Sequence, residues 1–527
     1  MHMQRSLFVC GFCVFIATLF CLALTCGDIG WTWDEVYYFL SSELQIEWFR
    51  ALKNSAFSGS LQHVLSQQVL DAYWLWDASH NPHPPLYKIF SSISLAMLGK
   101  YMDELVAYRM ATAVLAAGLV ALVFVVMAET SGIAVGLFAG LSLLVMPLFF
   151  GHAHIAATEL PLAFFWFATY WAFWKGLRTA WGSLLLSILF GGALATKFTA
   201  VLIPAAMVLW ALMYREKRAL RNIIALGGAP CFAVMFTPGW WHQPLQKIAA
   251  FVQTSISRHD TTPISSFFMG ERYVFSPPWY YSPVMTVITI PAAILFMMLI
   301  GSIFVARYRN QRDMLFVLNI PCILGAVMLP RAPVHDGIRQ FFAVLPFCAY
   351  LSGLGFQALW IVVSRLFFPV RMKQTLMACA ALLCLASAGI QVYRYHPFCL
   401  SYYNELIGGL AGAYERGMEV TYWFDAVNQP FLDQINRMVP DGARICIWPS
   451  NPEYFQFLQS KGKLKQSFVF YTPGRVPQSH QEMVPDYYIL LHRRSAFREE
   501  HKKILATCRP LAVNVCDGVP LVLLYRW

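Results

Sequence analysis

Residues 106–150 read VAYRMATAVLAAGLVALVFVVMAETSGIAVGLFAGLSLLVMPLFF. Two apolar runs, 106–127 and 132–150, stand back to back with only a short polar break around Glu129. An α-helix of about 20 mostly apolar residues crosses the hydrocarbon layer of a bilayer, so this stretch predicts two consecutive spans. The same test, carried outward, adds 6–26, 160–175, 182–196, 198–213, 223–240, 283–305, 314–330, 341–363 and 375–393, about eleven spans in all. Composition agrees. Of 527 residues 58% are hydrophobic and 13% charged, about half the charge of a soluble domain, and mean hydropathy is +0.52. The first run resembles a signal peptide, but no small-residue cleavage site follows CLALTCGDIG (Cys21–Gly30), and it is read as an anchor.

The net charge of +11 sits in short basic clusters between apolar runs, which argues against a nucleic-acid partner. Arg5, Lys175 with Arg178, YREKRALRN (Tyr214–Asn222), ARYRNQRD (Ala306–Asp313) and SRLFFPVRMK (Ser364–Lys373) all fall on one side when the spans alternate. The positive-inside rule makes that side cytoplasmic, which places the N-terminus inside and leaves 27–105, 151–159, 241–282 and the tail from about 394 outside. In a bacterial cell this is a multi-pass protein of the inner membrane. PPLYKIFSSISLAMLGKYM (Pro84–Met102) would put the basic loops on alternating sides if it spanned, so 27–105 is read as an outer loop with helices lying in the interface. The tail, 394–527, changes character. Its β-rich runs ARICIWP, SFVFY, DYYILLH and PLVLLYRW alternate with helix-like PEYFQFLQSKGK and FREEHKKIL, the pattern of a small extracytoplasmic α/β domain. The 13 cysteines form no disulfide framework; Cys508 and Cys516 are the pair whose location outside the membrane allows bonding.

The outer segments carry the chemistry-bearing residues. WTWDEVYYF (Trp31–Phe39) sets Asp34 and Glu35 directly after a span, where a low-dielectric boundary suits a general base; as residue types alone they are equally loop acids beside an aromatic belt. HNPHPPLYK (His80–Lys88) is either a proline-started helix or a rigid turn presenting His83 and Lys88, the latter a point charge for phosphate. Glu159 begins a span, where an acid also simply complements the helix N-terminus. His152 and His154 are two apart and share no helical face, which weighs against a metal there. The 241–282 loop offers His242, Arg258, His259, Asp260, Glu271 and Arg272, suited to an anionic headgroup or to plain solvent. PRAPVHDGIRQFF (Pro330–Phe342) brings Arg331, His335, Asp336 and Arg339 to the start of a span, Arg339 for bidentate phosphate contact or for snorkelling.

A DE pair after the first span, a downstream HPPL, an acid before the fourth span, and ATKFTA (Ala195–Ala200) resemble the GT-C superfamily of membrane glycosyltransferases, in particular its protein O-mannosyltransferase and aminoarabinose–lipid A transferase branch. HDGIRQFF, HPFCLSYYNELIGG (His396–Gly409) and GMEVTYW (Gly417–Trp423) are similar to a prokaryotic subgroup of that type. The likeness runs through nearly the whole chain; each motif is short, and their order is the more specific signal. It implies a GT-C-like transmembrane domain over 1–393, an extracytoplasmic α/β domain over 394–527, and an inverting transfer of sugar from a polyprenyl-phosphate donor to a protein, lipid or glycan acceptor on the outer face, with membrane lipid around the site. Asp34, Glu35 and Glu159 would be catalytic, and Lys88, Arg258, Arg272 and Arg339 would hold the donor phosphate. His83 falls where the aminoarabinose transferase has a metal-binding Glu, with His259 as a partner; no cofactor is required, and a divalent cation is allowed. The family more often has Asp at Glu159, and it has Lys at Pro84, a role left to Lys88 or an arginine. A lipid-linked saccharide transporter and a non-catalytic membrane assembly subunit are the competing classes.

Overall fold

The computed structural model describes residues 2–75, 83–257, 264–330, 332–472 and 484–527. The chain is mostly helical, with a small sheet confined to its C-terminal part. Among the described residues four helices are long and apolar enough to cross a membrane: Arg5–Thr25, Glu104–Ser131, Arg339–Ser364 and Val370–Tyr395. The apolar helix pair Tyr281–Thr289 and Ala292–Tyr308 is bent by 118° just before Pro291, which has no N–H to continue the helix. The carbonyls freed at that bend find a partner in the tail. The Asn404 amide donates to Val287 O at 2.6 Å and Ile290 O at 2.7 Å, and its backbone N–H to Ile288 O at 2.8 Å. Away from water such carbonyls must be satisfied from within the protein.

Other expected spans are broken into shorter helices, and Pro and Gly mark several of the breaks. The run 132–150 divides into Ile133–Leu144 and Pro147–His152, and 314–330 into Gln311–Val317 and Asn319–Val327. Leu86–Leu98 is helical as expected, and its 13 residues reach only about 20 Å, too short to span; it packs between Trp33–Ser58 and Glu104–Ser131. The first and last spanning helices keep apolar residues such as Phe8, Leu24, Leu382 and Leu383 on their outer faces, the surface that lipid requires.

In the tail, β3 (Arg444–Trp448), β4 (Val469–Tyr471), β5 (Tyr487–Leu491), β6 (Ala512–Cys516) and β7 (Val519–Arg526) follow a two-stranded hairpin of β1 (Ser266–Phe268) and β2 (Glu271–Tyr273). They form a five-stranded sheet in the order β4-β3-β5-β7-β6, parallel across β4, β3 and β5 and antiparallel across β7 and β6. The helices Pro452–Ser460 and Glu499–Thr507 occupy the expected places; β6 is an addition, its alternating pattern too short to stand out in the sequence. Cys508 and Cys516 are both free, a correction to the pairing considered above: Cys516 is buried at the end of β6 while Cys508 is exposed beyond the preceding helix.

The segment that follows the first helix is held by one buried guanidinium. Arg109, on the Glu104–Ser131 helix, is 0% exposed and gives all five of its N–H groups to described partners. Nε and Nη2 fork onto the Glu35 carboxylate at 2.8 and 2.6 Å. The rest go to Cys26 O, Ile29 O and Gly30 O at 2.7–3.1 Å. Glu35 in turn accepts from the Thr32 N–H at 2.9 Å and the Ala156 N–H at 2.8 Å. The tail closes over this knot: Trp33 N–H donates to Trp423 O, Gly30 N–H to Asp425 O, and the Tyr454 hydroxyl to Trp31 O. Position 30 has to be glycine, because a Cβ there would lie 2.5 Å from Val427 O.

Two predictions follow from this knot. Removing one partner of a buried pair strands the other at about 3–5 kcal/mol, so Arg109→Leu is expected to lower the apparent Tm of the detergent-solubilised protein well below that of a surface Arg→Leu control; equal melting would sink this account. The second concerns Asp425. Burial, with neither oxygen in a hydrogen bond to another described group, pushes its carboxyl up to about 7, against the opposing pull of its own backbone N–H and of Arg109. A folded pKa above the unfolded value of about 3.9 gives stability that is full below pH 4 and lost as pH rises through about 7. Asp425→Asn is therefore expected to melt higher than wild type at pH 8 but not below pH 4, and a pH-independent difference would count against it.

Candidate functional site

The knot sets the backbone on both sides of it. Asp34 precedes Glu35 and faces the other way; Glu159 follows Ala156 by three residues and starts the Glu159–Gly176 helix. Between them lies Arg339, at the start of a 3-10 turn, Arg339–Val344. It is delivered by a sharp reversal: Asp336 and Gly337 both take left-handed conformations, φ 57° and 66°, and Gly337 lies against the Tyr422 ring, where a Cβ would come within 3.2 Å.

Arg339 gathers three carboxylates. Nη2 pairs with Asp34, Nε donates to Glu159 Oε1 at 2.9 Å, and Nη1 reaches Asp336 Oδ2 at 3.4 Å. Its face stacks over the Trp423 ring at 4.3 Å. Glu159 also takes the Lys197 ammonium at 2.9 Å, with both side chains buried, and its second oxygen, Oε2, is buried without a hydrogen-bond partner among the described residues. Asp336 accepts from His335 Nδ1–H at 2.9 Å and from Arg493 Nη2 at 2.7 Å, and His335 Nε2 accepts from the Gln340 amide at 3.1 Å. Burial opposes the charge on Asp336, but Arg493, His335 and Arg339 hold its carboxyl well below the usual carboxylate range. Burial pulls His335 the other way, below the usual imidazole value, so it is neutral at pH 7. Three carboxylates, Asp34, Glu159 and Asp336, are thus matched by three cations, Lys197, Arg339 and Arg493.

These groups surround a cavity of about 480 Å³ whose walls include Trp33, Asp34, His83, Lys197, His335, Asp336, Arg339, Trp423 and Arg493. A second cavity, about 450 Å³, is lined almost wholly by apolar side chains, among them Trp48, Leu86, Phe90, Phe165, Phe236 and Trp241. Leu86 of this second cavity lies three residues beyond His83 in the chain, and its N–H donates to Ala195 O, two residues before Lys197.

Of the expected site residues, the structure brings Asp34, Glu159, Arg339 and His83 together. It corrects three others. Glu35 turns away from the cavity, because Arg109 takes both of its oxygens. Lys88 is buried on the Leu86–Leu98 helix with its ammonium 5.9 Å over the Tyr87 ring, and it is not a wall of the cavity. Arg272 sits on the exposed β1–β2 hairpin, donating to Ser265 Oγ at 3.2 Å. Arg258 and His259 lie outside the described residues. Among the described residues no group of three or more His, Cys, Asp or Glu is placed to hold a metal ion. Sequence reasoning passed over Lys197, Trp423 and Arg493 as site residues, although the first two fall inside motifs quoted for the family likeness.

The comparisons meet this geometry. Residues 82–242, which include Glu159 and Lys197, match the family model described as dolichyl-phosphate-mannose-protein mannosyltransferase. The structure superposes on ArnT from Cupriavidus metallidurans in the apo state over 97% of both chains, with a TM-score of 0.52 at 14% identity. The same enzyme bound to undecaprenyl phosphate gives 0.53 at 13% identity, again over 97% of each. The chain has the GT-C fold. No curated protein sequence matches it. A protein of this fold therefore carries the charged cavity, with helices that are apolar enough to lie in lipid.

Arg339 serves the cluster by geometry as well as by charge. Arg339→Gln is expected to lower the apparent Tm at pH 7, and Arg339→Lys to recover only part of the loss, since an ammonium has no planar fork to reach three carboxylates. Full recovery by lysine would show that charge alone suffices.

Proposed function

We propose that this GT-C protein is an inverting glycosyltransferase that moves a sugar from a polyprenyl-phosphate donor to a hydroxyl of a protein, lipid or glycan acceptor on the outer face of the membrane. The observation that carries the reading is that one chain holds a charge-balanced polar cavity and a separately lined apolar one, with His83 on the wall of the first and Leu86 on the wall of the second. A lipid-linked phosphosugar has those two parts, and a soluble nucleotide sugar has no use for the second. That a structure sharing the fold over 97% of its length is of a complex with undecaprenyl phosphate supports the same substrate class.

In this reading the anionic donor competes with Asp34 for Arg339. Released from its partner, the Asp34 carboxylate takes the proton of the acceptor hydroxyl. The hydroxyl oxygen forms a bond to the anomeric carbon as the bond from that carbon to the phosphate oxygen breaks. The electron pair leaves with the lipid phosphate, whose charge the neighbouring cations stabilise. Glu159 keeps Lys197 and Arg339 in place rather than touching the acceptor. His83 is a wall of the cavity, and a divalent cation there is an addition that this chemistry does not need.

Asp34→Asn decides between enzyme and transporter or scaffold. The variant is expected to lose turnover by about 10²–10⁴-fold, the usual worth of a general base, while still binding the lipid donor. Intact-mass analysis of surface glycoconjugates from cells with the wild-type or the variant protein reads the product directly. A missing hexose, pentose or amino sugar names the transfer, and unchanged glycoconjugates refute it.

A further inference from the structure

One cation of the cavity comes from outside the helical bundle. Arg493 follows β5 of the tail sheet by two residues, yet its side chain crosses to the Arg339 loop. Nη2 donates to Asp336 at 2.7 Å, Nη1 to Tyr422 O at 3.2 Å, and Nε to Ser495 Oγ at 3.3 Å. The segment is held firmly. The buried Glu419 carboxylate accepts the backbone N–H groups of Arg494 and Ser495 at 2.6 and 2.9 Å. Arg494 points elsewhere, with its guanidinium between the Phe267 and Tyr414 rings at 4.6 and 4.7 Å. Two adjacent arginines thus have separate tasks, one stacked on the tail and one aimed into the cavity.

The charge arrangement says what the second is for. Arg339 has a carboxylate on each of its three nitrogens, and Lys197 is committed to Glu159. Arg493 meets a single carboxylate directly, and described partners engage three of its five N–H groups. Its side chain is 17% exposed, on a wall of the cavity. Without it the site would hold three carboxylates against two cations, a field that repels a phosphate. We propose that Arg493 is a donor-phosphate-binding residue, so that the C-terminal α/β domain completes the site instead of serving only as an appendage to it. This rests on the reading of the cavity as a lipid-phosphate site and adds the residue and domain that recognise the headgroup.

The test uses the full chain in lipid nanodiscs and undecaprenyl phosphate as the probe, with binding followed by tryptophan fluorescence, since Trp33 and Trp423 line the cavity. Arg493→Gln is expected to weaken binding by at least about tenfold, the scale of one charge-assisted hydrogen bond. Arg493→Lys should fall between the two, keeping the charge without the fork. Arg494→Gln loosens the same segment without touching the cavity and should bind like wild type. The proposal is overturned if Arg493→Gln binds within twofold of wild type, or if Arg494→Gln weakens binding equally, which would make Arg493 a mere docking staple. Inorganic phosphate, run in parallel, should bind far more weakly; equal affinity would overturn the lipid assignment. If wild type binds no polyprenyl phosphate, the reading of the cavity itself fails, a result distinct from the others.

Discussion

A guanidinium sealed among helices and supplied with five acceptors is the constraint on which the rest of the molecule turns. Stripping Arg109 and Glu35 of water is costly in itself, and only complete hydrogen bonding makes it tolerable. The completeness therefore carries information about geometry. Carbonyls from 26–30, the helix start at Thr32, and the Ala156 N–H must all converge on one ion pair. Segments that precede the second helix and the Glu159 helix are thereby locked to the Glu104–Ser131 helix. Asp34 and Glu159 inherit their positions from that lock, one residue and three residues away from its members.

The same physics acts again in the cavity, with a different outcome. The knot is closed, with its donors spent on fixed acceptors. The cavity is balanced in charge but incompletely committed: Glu159 Oε2 has no partner among the described residues, and Arg493 retains donors. A neutral sum lets three carboxylates and three cations coexist in a half-dry space. An arriving anion has to displace one carboxylate from one guanidinium and leave that carboxylate without its cation, which is the state the proposed reaction uses. The Trp423 face beneath Arg339 helps to keep the guanidinium in place through such an exchange, since the ring's attraction does not depend on which anion sits at the edge.

Much of this was legible in the chain, and the failures have definite causes. Hydrophobic runs marked the helical membrane fold, and the change of texture after 394 marked the sheet, because both are local patterns. Asp34, Glu159 and Arg339 could be picked out because acids and arginines at the ends of apolar runs are few. Glu35 could not be separated from Asp34: two adjacent acids on a helix start differ only in which way the helix turns them, and the partner that claims Glu35 lies 74 residues on. Lys88 stood out as a cation because it lay beside prolines and a histidine in a polar loop. Lys197, between two apolar runs, read as part of a motif with no visible partner until the fold set it on Glu159. Span lengths were overestimated where a proline divides a run, as at Pro147 and Pro291, since hydropathy alone is blind to the missing N–H.

Arg493 illustrates the deeper limit of local reading. Nothing in DYYILLHRR separates it from Arg494, and a pair of arginines after a strand is ordinarily a solvated edge. What distinguishes them is a buried glutamate from a different segment, Glu419, which takes two consecutive backbone N–H groups and so fixes the peptide orientation that sends one side chain to the Phe267–Tyr414 slot and the other to Asp336. The tail also supplies Tyr422 and Trp423 to the cavity and Asn404 to the bend near Pro291. A tail that satisfies the carbonyls at a helix bend, covers the ion-pair knot and lends a cation to the charged cavity cannot be an independent module that happens to be tethered nearby. Its packing is continuous with that of the helices, and the charge balance of the site is a property of the two together.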